Sequence, residues 1–174
     1  QATELAGDPL WDFALEVYGA PGVAETCLAL QDEHGADVNL LLYALWCGAR
    51  LGRQLSPGEA ETARLAVAGW AEAVVGPLRA VRRAMKTPIG TVAEAPRLRL
   101  RDEIKRIELA AERVQLAALF ALAGSPPGRP RPPATDASAR ALHNLRLVLP
   151  ATAAGETAAF RRLVAAAVPH GRPA

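Results

Sequence analysis

The segment from residue 31 to residue 39 concentrates the polar side chains best placed to do chemistry. It reads Gln-Asp-Glu-His-Gly-Ala-Asp-Val-Asn and lies between two apolar stretches. Asp32 falls at the carboxyl end of a predicted helix, where the helix dipole disfavours a negative charge. Asn39 falls just inside a very apolar helix, where a buried amide needs hydrogen-bond partners. With two nearby aromatic residues the candidate ligand or partner site, the junction cluster, is Gln31, Asp32, Asp37, Asn39, Trp11 and Trp46.

An ordinary structural interpretation of this segment stays open beside the functional one. Asp37 can cap the following helix, and Gly35 can end the preceding one in a left-handed conformation. Asp32 and Asn39 can then bond across the turn, while Gln31 satisfies a buried carbonyl. These roles explain most of the spacing, whereas a pocket or a partner site would explain why so many polar groups are gathered there.

Catalytic and metal-binding patterns are weak along this chain. His34 has no second histidine four residues away, so Asp32 and Asp37 do not complete a metal site with it. Ser56 is explained as a helix cap, and no base is spaced to activate it. Cys27 and Cys47 lack C-x-x-C spacing and fall in apolar helical patterns. We therefore predict no catalytic residue, no metal and no cofactor, and favour a protein that is not an enzyme.

Charge is distributed unevenly along the sequence. Residues 1–75 carry three Arg against eleven Asp and Glu, whereas residues 76–106 carry nine Lys and Arg against three Asp and Glu. Some of the arginines would lie at a helix N-terminus, where the dipole disfavours cations. The run is either a solvated face or a binding surface. This basic patch consists of Arg79, Arg82, Arg83, Lys86, Arg97, Arg99, Arg101, Lys105 and Arg106.

A partner for the basic patch is most simply another protein. Nucleic acid and an anionic membrane surface remain further possibilities, because both attract clustered cations. Nucleic acid is less favoured, since no aromatic residues are interleaved with the cations and no reader motif is present. The oligomeric state is left open.

The elements that position these residues are predicted to be helices throughout. The apolar half of the composition is mostly Ala and Leu, which favour helix over sheet. Asp8 and Pro9 open a first helix, and Ser56 with Glu59 forms a capping box for a later one. The helix from residue 38 to about residue 52 is apolar on nearly every side, so we expect it to be the buried central element.

A long antiparallel hairpin is predicted to follow the central helix. Its first arm runs from Pro57 to about Lys86 with a kink at Pro77, and its second arm runs from Pro96 to Gly124. Apolar residues recur at steps of four and three along the second arm, as in a coiled-coil seam. We expect this seam to face the first arm; it consists of Leu100, Ile104, Ile107, Ala111, Val114 and Ala118.

Three regions are predicted along the chain. Residues 8–124 form the helical core domain, residues 125–135 form a Pro/Arg-rich flexible linker, and residues 136–168 form two short helices whose docking on the core is left open. The N-terminal residues lack a basic region followed by an apolar run, and no stretch approaches the roughly 18 apolar residues of a membrane span. A cytoplasmic protein is the expectation.

One further set of residues forms a recognisable pattern: Leu10-Trp11-Asp12-Phe13, Tyr18, Gly22-Val23, Cys27-Leu28, Leu30-Gln31-Asp32, Gly35, Asp37-Val38-Asn39-Leu40-Leu41-Leu42, Trp46, Pro77-Leu78-Arg79 and Glu108-Leu109. Through these residues the chain resembles an uncharacterised family of small proteobacterial proteins that carry a domain of unknown function. The resemblance is specific over residues 10–55 and looser through the hairpin. It implies a helical fold and no particular activity, and it implies that Gln31, Asp32, Asp37 and Asn39 belong to the family's pattern.

Two functional hypotheses follow from these patterns. The first is a non-enzymatic binding or regulatory module that acts through the basic hairpin tip or the polar helix junction. The alternative is a small-molecule-binding or catalytic helical protein with a pocket near Asp32, Asn39 and Trp46, roofed by Trp11 and Tyr43. A closed core at Asp32 and Asn39 would favour the first hypothesis, and a deep pocket there would favour the second.

Overall fold

The computed structural model describes residues 8–124 and 136–168, and the regular elements in these two ranges are all helical. A π-helical turn, Ala71–Val75, joins α4 to α5, and a 3-10 turn, Ala151–Ala153, precedes the last helix. The all-α class is therefore confirmed, while the predicted linker, 125–135, lies outside the described residues. The helices are α1 Pro9–Tyr18, α2 Val23–His34, α3 Val38–Ala49, α4 Pro57–Trp70, α5 Gly76–Ala84, α6 Glu94–Ala123, α7 Ala137–Val148 and α8 Thr157–Ala167.

Local capping chemistry sets the helix ends that the sequence predicts. The Asp8 carboxylate accepts a hydrogen bond from the Leu10 amide at 2.9 Å, so α1 begins where Asp8 and Pro9 indicate. Gly35 ends α2 with a left-handed φ of 69°. Ser56 and Glu59 form both halves of the capping box at the start of α4. These predictions are confirmed.

Helix α3 is the buried centre of the fold, as its sequence predicts. Every residue from 39 to 49 is buried, and the most extensive helix–helix interface in the described residues joins α3 to α7. A Cβ atom added at Gly48 would lie 2.6 Å from the Cα atom of Ala141. The two backbones therefore approach each other closely, and glycine is required at this crossing.

The C-terminal helices pack on the same core as the N-terminal ones. Leu145 of α7 and Leu163 of α8 are fully buried in the cluster that includes Leu10 of α1. Asn144 of α7 is also fully buried. Its amide nitrogen donates to the Ala44 and Arg53 carbonyls at 3.2 and 2.8 Å, and its oxygen accepts from the Leu55 amide at 2.8 Å. The docking that the sequence left open thus occurs.

The long hairpin is present, with α4 and α5 antiparallel to α6. This hairpin, from Pro57 to Ala123, is called the arm below, and the other helices are called the body. Its predicted kink near Pro77 takes the form of the π-helical turn, which ends one residue before α5 begins. The Trp70 indole nitrogen donates to the Ala111 carbonyl at 2.9 Å, and this hydrogen bond links α4 to α6.

The prediction that the apolar seam of α6 faces α4 and α5 is wrong for most of its residues. Leu100, Ile107 and Val114 are 49, 53 and 49 % exposed. The inward face of α6 carries buried Glu108, Ala111, Gln115 and Leu119, of which only Ala111 belongs to the predicted seam. The apolar residues that recur every seven positions lie on an outer face of α6, because the inner face must meet the polar groups of α3 and the arginines of α5.

Within the described residues, no helix is both long and apolar enough to cross a membrane.

Candidate functional site: a two-lobed cleft between the helix junction and the arm

Hydrogen bonds among three side chains link the α2–α3 junction to α6. The Asp37 carboxylate accepts from the Leu40 amide at 3.1 Å, which makes it the cap of α3. Its second oxygen accepts from the Gln115 side-chain amide at 2.6 Å. The Gln115 oxygen in turn accepts from the Asn39 amide at 3.0 Å. Both Asn39 and Gln115 are buried, so the expectation that a buried Asn39 needs partners is confirmed.

Asp32 takes no part in these hydrogen bonds and instead pairs with α5. Its carboxylate accepts a hydrogen bond from the Arg83 guanidinium. The Gln31 amide lies 3.4 Å from the same carboxylate oxygen. The hydrogen bond from Arg83 lowers the pKa of Asp32 below its ordinary value, so the carboxylate stays charged. The expected bond between Asp32 and Asn39 across the Gly35 turn is therefore not the arrangement found.

Two arginines of α5 and two glutamates of α6 form a network beside the junction. Arg79 pairs with Glu108 at 3.2 Å and with Glu112 at 2.8 Å, and Arg82 also pairs with Glu108. Burial raises the pKa of Glu108, but the hydrogen bond and charge of Arg82 outweigh it, and the net shift is downward. For Glu112 burial prevails over Arg79, and its pKa is raised.

The basic patch does not form one surface. Arg79, Arg82 and Arg83 are used in the pairs just described. Arg97 is buried and donates to the Met85 carbonyl at the end of α5, which explains a cation near a helix N-terminus. Arg101 is half-buried. The exposed cations of the basic patch that make no ion pair with the described residues are Lys86, Arg99, Lys105 and Arg106.

A cleft of about 380 Å³, the polar lobe, opens where the junction meets the arm. It brings the junction cluster and the arm arginines together, which the sequence treats as separate candidates. The π-helical turn supplies part of its wall, and such turns occur frequently at functional sites. Its lining includes Gln31, Asp32, Asp37, Asn39, Ala71, Val75, Arg79, Arg83 and Gln115.

A second cleft of about 410 Å³, the apolar lobe, adjoins the first. The two lobes share Gln31, Val38, Asn39 and Arg79 in their walls. Large apolar side chains of α1, α2 and α6 border the apolar lobe and are 37–53 % exposed; they are Leu15, Tyr18, Leu28 and Leu109. Lys105 stands in the same wall. The two lobes therefore adjoin along these shared residues, and together they are called the two-lobed cleft.

The two tryptophans of the predicted site are separated. Trp11 lines the apolar lobe, and the Arg113 guanidinium lies 5.2 Å from its ring centre. Trp46 is buried and packs on Phe120 at 5.6 Å between ring centres. Tyr43 lines a different surface depression, with Arg53 and Ser56. A pocket therefore exists near Asp32 and Asn39, but Trp46 and Tyr43 do not roof it.

The nucleophile and metal candidates are held in structural positions. The Ser56 hydroxyl accepts from the Glu59 amide at 3.2 Å as the cap of α4. Burial raises the pKa of Cys27 to about 12 and that of Cys47 to about 11, so both thiols stay protonated. The His34 Nε2 atom lies 3.6 Å from the Glu156 Oε1 atom. Among the described residues, no group of three His, Cys, Asp or Glu side chains is placed to hold a metal ion.

Sequence reasoning missed Glu108, Glu112 and Gln115 as parts of this site. Each stands within the stretch of α6 that the apolar seam was expected to occupy. A signal was present, because Glu108 and Gln115 are seven residues apart and thus share a helix face. That spacing marks a polar face beside the apolar stripe, and the polar face is the one that packs.

The fold is that of an all-helical protein with a cleft between a compact body and a charged arm. A model of a family described as a protein of unknown function, DUF2390, matches residues 9–119, and the chain belongs to this family. The matched span contains both lobes of the cleft and ends before α7, and it confirms the resemblance to a family with a domain of unknown function. No curated protein and no solved structure matches the chain.

Proposed function

We propose that this protein is a non-enzymatic binding module and that its binding site is the two-lobed cleft. The observation that supports the proposal is the union of two candidate regions in one cleft. Arg79 and Arg83 of the basic patch line the polar lobe together with Asp32 and Asn39 of the junction cluster. Most of these polar groups bond one another, which suits recognition better than acid–base chemistry.

The proposed occupant is a segment of another protein that carries an acidic residue beside apolar ones. Four large apolar side chains at the border of the apolar lobe are more than a third exposed, and clustered exposed apolar side chains mark interaction sites. Small-molecule sites instead enclose about 70–90 % of their ligand. Lys105 lies in the same wall and makes no ion pair with the described residues, so it can meet the acidic group.

The pair between Arg83 and Asp32 gives the polar lobe an adjustable edge. Both side chains are about half exposed, and exposed ion pairs stabilise a protein by only about 0–1 kcal/mol. An incoming segment can therefore displace one partner and use the other at little cost. By contrast, Asn39 and Gln115 are buried and bonded, and they form a fixed floor.

Position-specific photo-crosslinking tests this proposal in living cells. Benzoylphenylalanine replaces Tyr18 in the apolar lobe, and a matched control replaces Leu65, which is 60 % exposed on α4. The expected result is one dominant crosslinked protein from position 18, abolished by Leu28→Arg and absent from position 65. Equal crosslinking from both positions, or a product that is unaffected by Leu28→Arg, would overturn the proposal.

A second candidate function is supported by the position of the polar lobe. A small polar molecule would fit the cleft of about 380 Å³ at Asp32 and Asn39, which is within the usual range of ligand pockets. A thermal-shift screen of polar metabolites separates the two candidates. A metabolite that raises the melting temperature of the unmodified protein and of Leu28→Arg, but not that of Arg83→Ala, would favour this second function.

A further inference from the structure

The outer face of α6 carries an apolar stripe that no described part of the chain covers. Leu100, Ile107 and Val114 recur every seven residues and are about half exposed. Ala110 and Ala121, also exposed, lie on the same face. Leu100, Ile107, Val114 and Ala121 share one heptad position, and Glu103 and Ala110 share the other, so the apolar residues form a stripe along which a second helix can pack. This stripe is the outer seam.

The outer seam faces away from the cleft. Ile107 lies on the seam and Leu109 borders the apolar lobe, and residues two apart on a helix point about 200° apart. An occupant of the cleft therefore leaves the outer seam free. For this reason the inference concerns a second surface and does not depend on the proposed function.

Charge beside the outer seam restricts what can cover it. Arg99 and Arg106 immediately precede Leu100 and Ile107, so they flank the stripe on one side at the same seven-residue spacing. Both are exposed and form no ion pair with the residues that the structure describes. A helix lying along the seam would place its own flanking positions against these guanidinium groups, and acidic residues there would be favoured.

A second copy of this chain fits the seam poorly in either orientation. In an antiparallel pair the row of Arg99 and Arg106 would face its own copy, because the same flanks meet in that arrangement. In a parallel pair Glu103, which stands in the stripe between Leu100 and Ile107, would meet the Glu103 of the other copy. Like charges placed against each other in an interface are costly.

An anionic membrane surface also fits poorly. Interfacial helices keep acidic groups out of the apolar stripe that enters the lipid, and Glu103 stands within this one. We infer that the outer seam of α6 docks an amphipathic helix of a partner protein, with acidic residues of that helix lying along Arg99 and Arg106.

A designed peptide tests the inference without knowledge of the natural partner. The probe is a labelled helical peptide of three heptads, with leucine and alanine at the seam positions and glutamate beside them. Its charge-reversed twin carries lysine in place of each glutamate. Fluorescence anisotropy with the full chain should show binding of the acidic peptide, and affinity for the lysine twin at least about tenfold lower.

Variants locate the binding and keep the test decisive. Ile107→Asp and the double change Arg99→Glu with Arg106→Glu should each weaken binding of the acidic peptide about tenfold or more, with helicity unchanged by circular dichroism. Lys86→Glu, an exposed cation away from the seam, should leave binding unchanged, and so should Leu28→Arg in the cleft. Equal binding of both peptides, or no binding of either, would overturn the inference.

Two further measurements would also overturn it. One is sedimentation of the chain with phosphatidylserine vesicles that is lost in Ile107→Asp, which would indicate a membrane. The other is a dimer in analytical ultracentrifugation that the same variant dissociates, which would indicate a second copy. A monomer that stays in solution with the vesicles and binds the acidic peptide is the expected combination.

Discussion

The contact between α3 and α7 and the contact between α5 and α6 are built from opposite kinds of side chain. The first is apolar and so close that Gly48 touches the backbone of Ala141, with the single buried amide of Asn144 fully bonded. The second depends on arginines and glutamates, and no residue of Gly76–Ala84 is fully buried. One contact is a tight apolar crossing, and the other is a pair of arms joined by charge.

This difference indicates what each region contributes. Close apolar packing gives a single well-ordered arrangement. Ion pairs recover most of the free energy that their own desolvation costs, so their net contribution to stability is small. The arm is therefore the part that can adjust; the proposed outer seam lies on it, and the proposed cleft lies between it and the body. The body from α1 to α3 with α7 and α8 supplies the rigid wall.

The largest effect is expected at the tight crossing. Gly48→Val should lower the free energy of unfolding by about 3 kcal/mol or more, because a Cβ atom would lie 2.6 Å from Ala141 and the helices would have to separate. Urea denaturation measures this change. Gly69→Ala is the matched control, since nothing lies within 4 Å of its added Cβ, and it should stabilise the chain by up to about 1 kcal/mol. Similar results for both would show that the crossing is not tight.

Glu108→Gln tests the charged contact. Glu108 is 5 % exposed and pairs with Arg79 and Arg82. Its loss leaves the partly buried Arg82 without an ion pair and Arg79 with Glu112 alone, and should cost about 3 kcal/mol at pH 7. The folded-state pKa of Glu108 is lowered, so its stabilisation is complete above the unfolded pKa and is lost as the pH falls through the folded value. The difference in the free energy of unfolding between the variant and the unmodified chain, measured by urea denaturation, should therefore become smaller as the pH is lowered.

Glu61→Gln is the control for that change. Glu61 forms an exposed pair with Arg64, and its removal should leave the midpoint of urea denaturation unchanged within error at neutral pH. If Glu61→Gln and Glu108→Gln had equal effects, or if the Glu108 difference grew in acid, the arms would not be joined by a buried ionic contact.

Asn39→Leu probes the link between body and arm. It leaves the buried Gln115 oxygen without its donor and should cost about 1–3 kcal/mol. The double variant Asn39→Leu with Gln115→Leu should cost less than the sum of the single changes, because no stranded amide remains. Strict additivity in urea denaturation would show that the two side chains do not interact.

The smallest effect on stability is expected at the edge of the cleft. Arg83→Ala removes an exposed pair with Asp32 and should cost no more than about 1 kcal/mol. The change should fade further as salt is raised to about 1 M, where screening is nearly complete. A loss of several kcal/mol, measured by thermal unfolding, would make Arg83 part of the structural core of the arm instead of its adjustable edge.

The helix ends and the central helix could be predicted from sequence because their causes are local. Asp37 caps α3 and Ser56 caps α4 through bonds that span three residues. The uniform apolarity of α3 likewise needs no knowledge of its neighbours. The kink before Pro77 was predictable for the same reason, although its π-helical form was not.

The site could be predicted only in part, because its geometry depends on how α6 is rotated. The apolar stripe of α6 indicated the wrong inner face, and with it the partners of Asn39 and of the arginines were missed. Gln115 lies 76 residues from Asn39, so no local pattern joins them. Trp46 was assigned to the pocket from its sequence neighbours, whereas α3 turns it towards Phe120.

Amide hydrogen exchange of the full chain compares body and arm most directly. Amides of α3 and α7 should exchange only through global unfolding, while amides of α5 should exchange through local opening with a free energy several kcal/mol lower. Glu108→Gln should accelerate exchange in α5 more than in α3. Equal protection of α5 and α3, with equal acceleration by the variant, would contradict a rigid body joined to an adjustable arm.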